Sequence, residues 1–221
     1  MKHVCITSPH DTIHTRIGQF IFEYGASSFF QNNDSVLPLL ADYVRDAIFA
    51  PWSTSTTDTT FPRPTHLIDT YCGSGLFAIC LSPHFDTIAG IEISRESIQA
   101  AKRNAQLNEI SQDKLSFREG DAEGIFDAVR SGDPFPKDKT TILIDPPRKG
   151  CSASFISQLV EFRAATVVYV SCNVHTQARD VGMILGQTVG NEKRYVLESL
   201  RGFDLFPQTA HVESVAVLRL V

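Results

Sequence analysis

Residues 65–75 read THLIDTYCGSG, a short apolar run that ends in a glycine-rich turn. The run predicts a buried β-strand, and the glycines let the backbone turn sharply and approach a ligand closely. Residues 76–82 continue with a helical pattern, so the stretch predicts a strand–turn–helix unit of the nucleotide-binding kind. Ala78 stands at the third glycine position of a dinucleotide motif, where it is tolerated, so the spacing alone leaves NAD open.

The same alternation of strands and helices continues toward the C-terminus. Apolar strands are predicted at 87–93, 115–120, 140–145 and 166–171, and helices at 94–108, 121–132, 152–162 and 175–187. Two further strands, at 195–205 and 211–221, predict an antiparallel pair. The pattern therefore predicts the α/β fold class, with a mostly parallel sheet that helices cover on both faces.

The N-terminal part of the chain is less regular. Residues 12–24 alternate like a strand, and 35–49 predict an amphipathic helix. Residues 51–64 are rich in Ser, Thr and Pro and predict a mobile surface loop. We therefore expect a strand segment at 1–24, left from a preceding domain, and one α/β domain at 25–221.

Composition narrows the class of protein. The 221 residues carry a net charge of −5, which argues against a protein that binds nucleic acid over its whole surface. The charge does not exclude a local basic cleft. No two of the five cysteines form a CxxC pair, which disfavours a secreted disulfide framework and a structural zinc site. We expect an intracellular protein with reduced thiols and no metal. No apolar run approaches the ~20 residues that a membrane span needs.

Polar or glycine residues follow each predicted parallel strand, where ligands of such sheets bind. They are Asp69, Tyr71, Gly73, Glu92, Gly120, Asp121, Asp145, Ser171, Cys172 and Asn173. Glu92 comes about 20 residues after the glycine turn, where an acidic residue accepts hydrogen bonds from ribose hydroxyls. A solvated strand end is the less favoured interpretation of Glu92.

Asp145 begins the sequence Asp-Pro-Pro-Arg, which ends at Arg148. Proline restricts the residue before it to extended geometry, so the Asp145 carboxylate is expected to be held rigidly at the sheet edge. A fixed carboxylate there can accept an N–H hydrogen bond from a planar ligand. A purely structural turn is the alternative.

Cys172 follows the last predicted parallel strand, where a helix begins. A helix N-terminus favours a thiolate, so Cys172 is a candidate nucleophile, and Cys151 is its rival. Glu213 is a candidate general base if its surroundings raise its pKa toward neutral. Taken alone, Glu213 is more simply a solvated residue at a strand start; together with Cys172, the catalytic interpretation is favoured.

Seven stretches in this order resemble the RNA uracil-C5-methyltransferase family. They are FFQNN (29–33), DTYCGSG (69–75), GIEIS (90–94), GDAE (120–123), DPPRKG (145–150), SCN (171–173) and FDLFPQTAHVES (203–214). Within the family, the combination most resembles the enzymes that make ribothymidine in the T loop of tRNA. The residues within the motifs are similar to those of fungal members.

The resemblance implies a class I, Rossmann-like methyltransferase fold with a mostly parallel seven-stranded sheet whose last strand is antiparallel. It implies S-adenosylmethionine as methyl donor, Cys172 as nucleophile and Glu213 as general base. The donor-binding residues would be Gln31, Tyr71, Gly73, Glu92 and Asp145, and the RNA-binding residues Phe30, Asp145, Arg148 and Asn173.

The implied reaction is methylation of uridine C5 in tRNA, at uridine 54 of the T loop, by a monomer. Methylation of rRNA uridine or of cytosine C5 is an alternative within enzymes, and a non-catalytic RNA-binding or tRNA-folding module is an alternative outside them. The family usually reads Ser-Cys-Asn-Pro, whereas this chain has Val174, which we expect to loosen the turn at Cys172.

Overall fold

The computed structural model describes residues 8–50, 62–120, 135–189 and 193–221. Most of the predicted loop at 51–64, Asp121 and the helix predicted after it lie outside the described residues. In chain order the elements are β1 (Thr12–Ile17), β2 (Phe20–Gly25), α1 (Leu37–Phe49), β3 (His66–Thr70), α2 (Leu76–Cys80), β4 (Thr87–Glu92), α3 (Arg95–Leu107), β5 (Leu115–Glu119), β6 (Thr140–Ile144), α4 (Ala153–Phe162), β7 (Thr166–Ser171), α5 (Val174–Leu185), β8 (Thr188–Val189), β9 (Lys193–Phe203) and β10 (Glu213–Leu220).

One sheet contains eight strands in the order β5-β4-β3-β6-β7-β10-β9-β8, while β1 and β2 pair in a separate hairpin. The five strands from β5 to β7 are parallel, and β10 runs antiparallel to both of its neighbours. Strand β8 has only two residues, so the sheet consists of seven longer strands and this short addition. The predicted α/β class, the antiparallel last strand and the C-terminal antiparallel pair are confirmed.

Helices cover both faces of the sheet, which explains why its central strands are largely apolar. Every residue of β6 and β7 is buried. On one face, Leu40 of α1 and Ala101 of α3 belong to one apolar core. On the other face, Phe155 of α4 and Ile184 of α5 belong to a second core. A strand buried on both faces has no solvated side, so the sequence shows a continuous apolar run rather than alternation.

The hairpin of β1 and β2 packs onto the α/β domain. Ile17 and Phe22 are fully buried in the same core as α1, and β2 lies against α3. Residues 12–24, predicted as a single strand segment, therefore form two antiparallel strands with a turn between them. The origin of this segment in a preceding domain stays a prediction.

Polar side chains fix where the helices that follow the central strands begin. Ser94 caps α3, as its sequence position predicts, and Ser152 and Asn173 cap α4 and α5. Each cap accepts a hydrogen bond from a backbone N–H of the first turn, which otherwise has no partner within the helix. The cap at Asn173 consequently sets the position of Cys172, the residue before it.

Candidate active site

A cavity of about 880 Å³ opens at the carboxyl edge of the parallel strands. Its volume lies within the range of about 300–1,000 Å³ that is usual for small-molecule sites. Of the catalytic, donor-binding and RNA-binding residues that the family resemblance implies, all except Asn173 line this cavity: Phe30, Gln31, Tyr71, Gly73, Glu92, Asp145, Arg148, Cys172 and Glu213.

The glycine turn after β3 forms one wall of the cavity. Gly73 and Gly75 have positive φ angles of 52° and 90°, a conformation that glycine adopts without strain. A Cβ atom on Gly75 would stand 3.0 Å from the ring of Phe117. Glu92 accepts hydrogen bonds from the backbone N–H groups of Gly73, at 3.2 Å, and Ser94, at 2.9 Å. A carboxylate has about four acceptor positions, so Glu92 can also accept bonds from a ligand in the cavity.

Asp69 lies beneath this turn and is fully buried. Its Oδ2 accepts a hydrogen bond from Ala78 N at 2.9 Å, whereas its Oδ1 has no hydrogen-bond partner. Burial raises the pKa of Asp69 to about 8. The bond to Ala78 ties α2 to the end of β3, so Asp69 holds the turn from below.

Cys172 and Glu213 are neighbours across the sheet. Ser171, the last residue of β7, pairs with Ser214 in β10, which places Cys172 and Glu213 at adjoining strand ends. Both side chains line the cavity. The two residues are 41 positions apart in the sequence, and antiparallel pairing of β10 with β7 is what brings them together.

The Glu213 carboxyl is buried, with an exposed fraction of 1%, and neither of its oxygens has a hydrogen-bond partner. Burial raises its pKa to about 7. A carboxyl group with this pKa exchanges protons readily near neutral pH. Its surroundings thus raise the pKa of Glu213 toward neutral, as a general base requires.

Cys172 is half-buried. Burial raises the pKa of its thiol and the charge of Glu213 raises it further, while a hydrogen bond with Arg148 lowers it. The expectation that the start of α5 favours the thiolate stays a prediction. The net shift of the thiol pKa is upward, because burial beside carboxylates outweighs Arg148, the group that favours the thiolate.

Asp145 lies between Glu213 and the glycine turn. Burial raises its pKa well above the ordinary range, and the charges of Glu213, Asp69 and Glu92 act in the same direction. The upward shift favours the protonated form of the carboxyl group, which can donate a hydrogen bond as well as accept one. Arg148, at the end of the same motif, is exposed at the mouth of the cavity.

Asn173 does not line the cavity. Its Nδ2 donates to the backbone oxygen of Arg148 at 3.0 Å, and Thr176 Oγ1 donates to the same oxygen at 3.1 Å. The start of α5 thus holds the loop that carries Asp145 and Arg148. The proposed contact between Asn173 and the substrate stays a prediction.

Cys151, the rival nucleophile, lies outside the cavity lining and is buried. Its backbone N–H donates to Asp180 Oδ2 at 2.7 Å, and the Tyr169 hydroxyl donates to the same oxygen at 2.7 Å. Burial and the charge of Asp180 raise the pKa of the Cys151 thiol to about 12. Cys172 is therefore the better-placed nucleophile.

The two phenylalanines of the FFQNN stretch have different surroundings. Phe30 is 5% exposed and stacks on Tyr24, with ring centroids 4.4 Å apart, so its ring already has a protein partner. Phe29 is 81% exposed at the mouth of the cavity and is the better placed of the two to stack on a base. Gln31 lines the cavity, where it is half-buried.

Several polar residues behind the cavity were not predicted as functional. Asp180 and Asn104 are fully buried on helix faces that also carry apolar residues. The available signal was a polar residue within an apolar helical stripe, such as Asn104 between Ala101 and Ala105. The described residues hold no group of three or more His, Cys, Asp or Glu suited to a metal ion. Within those ranges, each helix is too short or too polar to cross a bilayer.

Comparisons with known proteins agree with this geometry. The sequence matches the tRNA (uracil-5-)-methyltransferase family over residues 11–220. It is 42% identical to the tRNA (uracil(54)-C(5))-methyltransferase of Saccharomyces cerevisiae over 221 residues, and 42% identical to that of Schizosaccharomyces pombe over 220 residues. These alignments include the whole chain but only 33% and 40% of the two relatives.

The structure is similar to that of the Pyrococcus abyssi tRNA (uracil-54, C5)-methyltransferase in complex with S-adenosyl-L-homocysteine. The TM-score is 0.72 at 26% sequence identity, over 94% of this chain and 44% of that one. The relation that the motifs predicted is confirmed: this chain belongs to the tRNA (uracil-5-)-methyltransferase family.

Proposed function

We propose that this domain catalyses S-adenosylmethionine-dependent methylation of uridine C5 in tRNA, at uridine 54 of the T loop. The observation that carries the proposal is that Cys172 and Glu213, at adjoining strand ends, open into one cavity with the glycine turn. Family membership and the activities named for the two yeast relatives support the same reaction and substrate.

The residues around the glycine turn fit S-adenosylmethionine, which supplies an electrophilic methyl group when bound. The Glu92 carboxylate is positioned to accept hydrogen bonds from ribose hydroxyls, and Phe77 and Ile91 offer apolar surface in the same cavity. Gln31 and Tyr71 line it as well and are proposed to order the donor. At about 880 Å³ the cavity has room for a nucleoside-sized ligand together with a base flipped out of its stack.

In the proposed first step, the Cys172 thiolate adds to C6 of uracil. The S–C6 bond forms and the electron pair of the C5–C6 double bond moves to C5, with enolate character at O4. Arg148 favours the thiolate, and Asp145, which lines the same cavity, is proposed to hydrogen-bond to the uracil edge at the developing enolate. C5 becomes nucleophilic enough to take the methyl group, whose bond to the donor sulfur would break and leave its electron pair on the sulfur of S-adenosylhomocysteine.

In the second step, Glu213 removes the proton from C5. The electrons of the C–H bond restore the C5–C6 double bond, the S–C6 bond breaks, and Cys172 leaves as the thiolate. Burial raises the pKa of Glu213 to about 7, so near neutral pH a large fraction of it is ionised and able to accept this proton.

Contacts with the RNA are proposed for the mouth of the cavity. The exposed Phe29 ring is proposed to stack on the flipped uracil. Arg148 and Lys149, both exposed, supply positive charge for the RNA backbone despite the net charge of −5. The domain is proposed to act as a monomer.

The proposal is tested with tRNA in which 5-fluorouridine replaces uridine. Fluorine at C5 cannot be removed as a proton, so a covalent protein–RNA adduct should accumulate in the presence of the methyl donor and survive denaturing gel electrophoresis. Cys172→Ala should give no adduct, whereas Cys151→Ala, which changes a cysteine outside the cavity, should still form it. An adduct in Cys172→Ala would refute the nucleophile assignment, and an rRNA fragment that reacts better than tRNA would refute the substrate.

A further inference from the structure

Two asparagines of α3 hold the N-terminal hairpin. Asn104 Oδ1 accepts a hydrogen bond from Glu23 N at 2.7 Å, and Asn108 Oδ1 accepts one from Ile21 N at 2.9 Å. Asn108 Nδ2 also donates to the Ile21 oxygen at 2.7 Å. The two side-chain amides therefore form hydrogen bonds with the backbone N–H and C=O groups on the outer edge of β2, where a neighbouring strand would otherwise do so.

The two asparagines differ in their remaining contact. Asn104 Nδ2 donates to the backbone oxygen of Ser74, in the glycine turn, at 3.0 Å. The Nδ2 of Asn108 instead bonds within its own helix, to the backbone oxygen of Asn104 at 2.8 Å. Asn104 is fully buried, and its two bonds join groups of the half-buried residues Glu23 and Ser74. A single side chain thus connects the hairpin with the glycine turn.

The glycine turn depends on such contacts for its conformation. Ser74 lies between Gly73 and Gly75, both at positive φ, and glycine by itself does not favour one conformation over others. Glu92 bonds to the N–H of Gly73 on one side of the turn, and Asn104 bonds to the oxygen of Ser74 on the other. Gly73 and Ser74 both line the cavity.

We infer that Asn104 is a positioning residue for methyl-donor binding. It fixes the glycine turn through the Ser74 oxygen and links that turn to the docked hairpin. The inference rests on the proposed function, because it takes the glycine turn as the donor site. Since one side chain makes both contacts, donor binding and hairpin docking stabilise each other, and the coupling is reciprocal.

The matched pair Asn104→Ala and Asn108→Ala tests this role. Both remove an asparagine that bonds to β2, so both should lower the melting temperature. Only Asn104→Ala should weaken S-adenosylhomocysteine binding measured by calorimetry, by about three- to tenfold for one lost hydrogen bond. In turnover assays it should raise the KM for the donor and leave kcat near that of the wild type.

Three outcomes count against the inference. Unchanged S-adenosylhomocysteine affinity in Asn104→Ala overturns the positioning role, and so does an equal loss in Asn108→Ala. Wild-type protein that fails to bind S-adenosylhomocysteine overturns the proposed function and the positioning role with it. The wild-type titration therefore separates the two failures.

Hydrogen exchange on the wild-type protein gives a second test that does not depend on a variant folding. Saturation with S-adenosylhomocysteine should slow exchange of the Glu23 amide, which bonds to Asn104, at least about threefold more than that of the Ile21 amide, which bonds to Asn108. Both amides belong to β2, so a general tightening would slow them equally. An equal response, or none, overturns the link between hairpin and glycine turn.

Discussion

Asp180 and Glu213 are both buried carboxylates behind the same active-site loops, and their surroundings are opposite. Asp180 accepts hydrogen bonds from the Tyr169 hydroxyl and the Cys151 N–H on one oxygen and from the Arg179 guanidinium on the other. Glu213 has no hydrogen-bond partner on either oxygen. We refer to the first set, Cys151, Tyr169, Arg179 and Asp180, as the Asp180 network.

The difference separates a structural role from a chemical one. A carboxylate whose oxygens are all bonded is costly to remove, because its donors are left buried without partners. A buried carboxyl without partners is costly to ionise, and that cost gives it a pKa suited to proton transfer. The Asp180 network bonds to the backbone of Lys149 and Cys151, and Gly150 approaches so closely that a Cβ atom there would stand 2.5 Å from Asp180 Oδ2. Glu213 has no such hydrogen bonds, so its carboxyl group is available for proton transfer.

Glu213→Gln should give the largest effect on activity. The amide cannot accept the C5 proton, so turnover on tRNA should fall by about 10²- to 10⁴-fold, the usual contribution of a general base. A covalent adduct with ordinary uridine should form and resolve slowly, which single-turnover assays on denaturing gels would detect.

The control for that change is Glu109→Gln, which alters an exposed glutamate on the loop after α3. It should leave turnover within twofold of the wild type, roughly the effect of a neutral surface change. Turnover in Glu213→Gln within tenfold of the wild type would remove Glu213 from the role of base.

Asp180→Ala should give the largest effect on stability. It leaves the Tyr169 hydroxyl and the Cys151 N–H buried without an acceptor, which should lower the free energy of unfolding by roughly 2–4 kcal/mol. Urea denaturation measures this value. Asp113→Ala changes an exposed aspartate and should cost less than about 0.5 kcal/mol. A loss below about 1 kcal/mol in Asp180→Ala would show that the network contributes little to stability.

The sequence predicted Cys172 and Glu213, and it did not predict the residues that support them. Strand ends can be read from apolar runs, and the topology of parallel sheets places those ends together. Asp180 bonds to Cys151, 29 positions away, and Asn104 bonds to Glu23, 81 positions away. No local pattern specifies which helix face meets such a distant partner, so a buried Asp or Asn in a helix resembles a solvated one.

Two finer assignments depended on tertiary packing in the same way. The FFQNN stretch does not reveal which phenylalanine is exposed at the mouth of the cavity, because the stacking of Phe30 on Tyr24 of the hairpin decides it. The surroundings of the Cys172 thiol also depend on packing. The helix start after Cys172 can be read from the sequence, whereas Glu213, whose charge raises the thiol pKa together with burial, is its neighbour only in the folded sheet.

Stability should depend on pH differently when Glu213 is replaced. Folding raises the pKa of Glu213 from its ordinary value of 4.5 to about 7, so its contribution to stability is present below pH 4.5 and is lost as the pH rises through 7. Glutamine does not titrate, so Glu213→Gln does not lose stability in this way as the pH rises. The free energy of unfolding of the variant, relative to the wild type, should therefore rise between pH 5 and pH 8, by up to roughly 3 kcal/mol.

Urea denaturation of both proteins at each pH measures that difference. Asp69, whose pKa is also raised by burial, titrates in both proteins, so most of its contribution cancels in the comparison. The pKa of Asp145 should fall when the Glu213 charge is removed, which changes the relative stability in the same direction. A relative stability that stays constant from pH 5 to pH 8 would contradict a raised pKa at Glu213.

Val174→Pro should give the smallest effect on stability. Val174 lies at the start of α5, between the Asp180 network and Cys172. Val174 is the first residue of α5 and is 43% exposed, and proline at this position sacrifices no hydrogen bond within the helix. Asn173 has extended backbone angles, φ −135° and ψ 98°, which a following proline tolerates. By restricting the unfolded chain, the change should raise the free energy of unfolding by about 0.4–1 kcal/mol. Destabilisation would show instead that the Cys172 turn has adapted to valine and that proline no longer suits it.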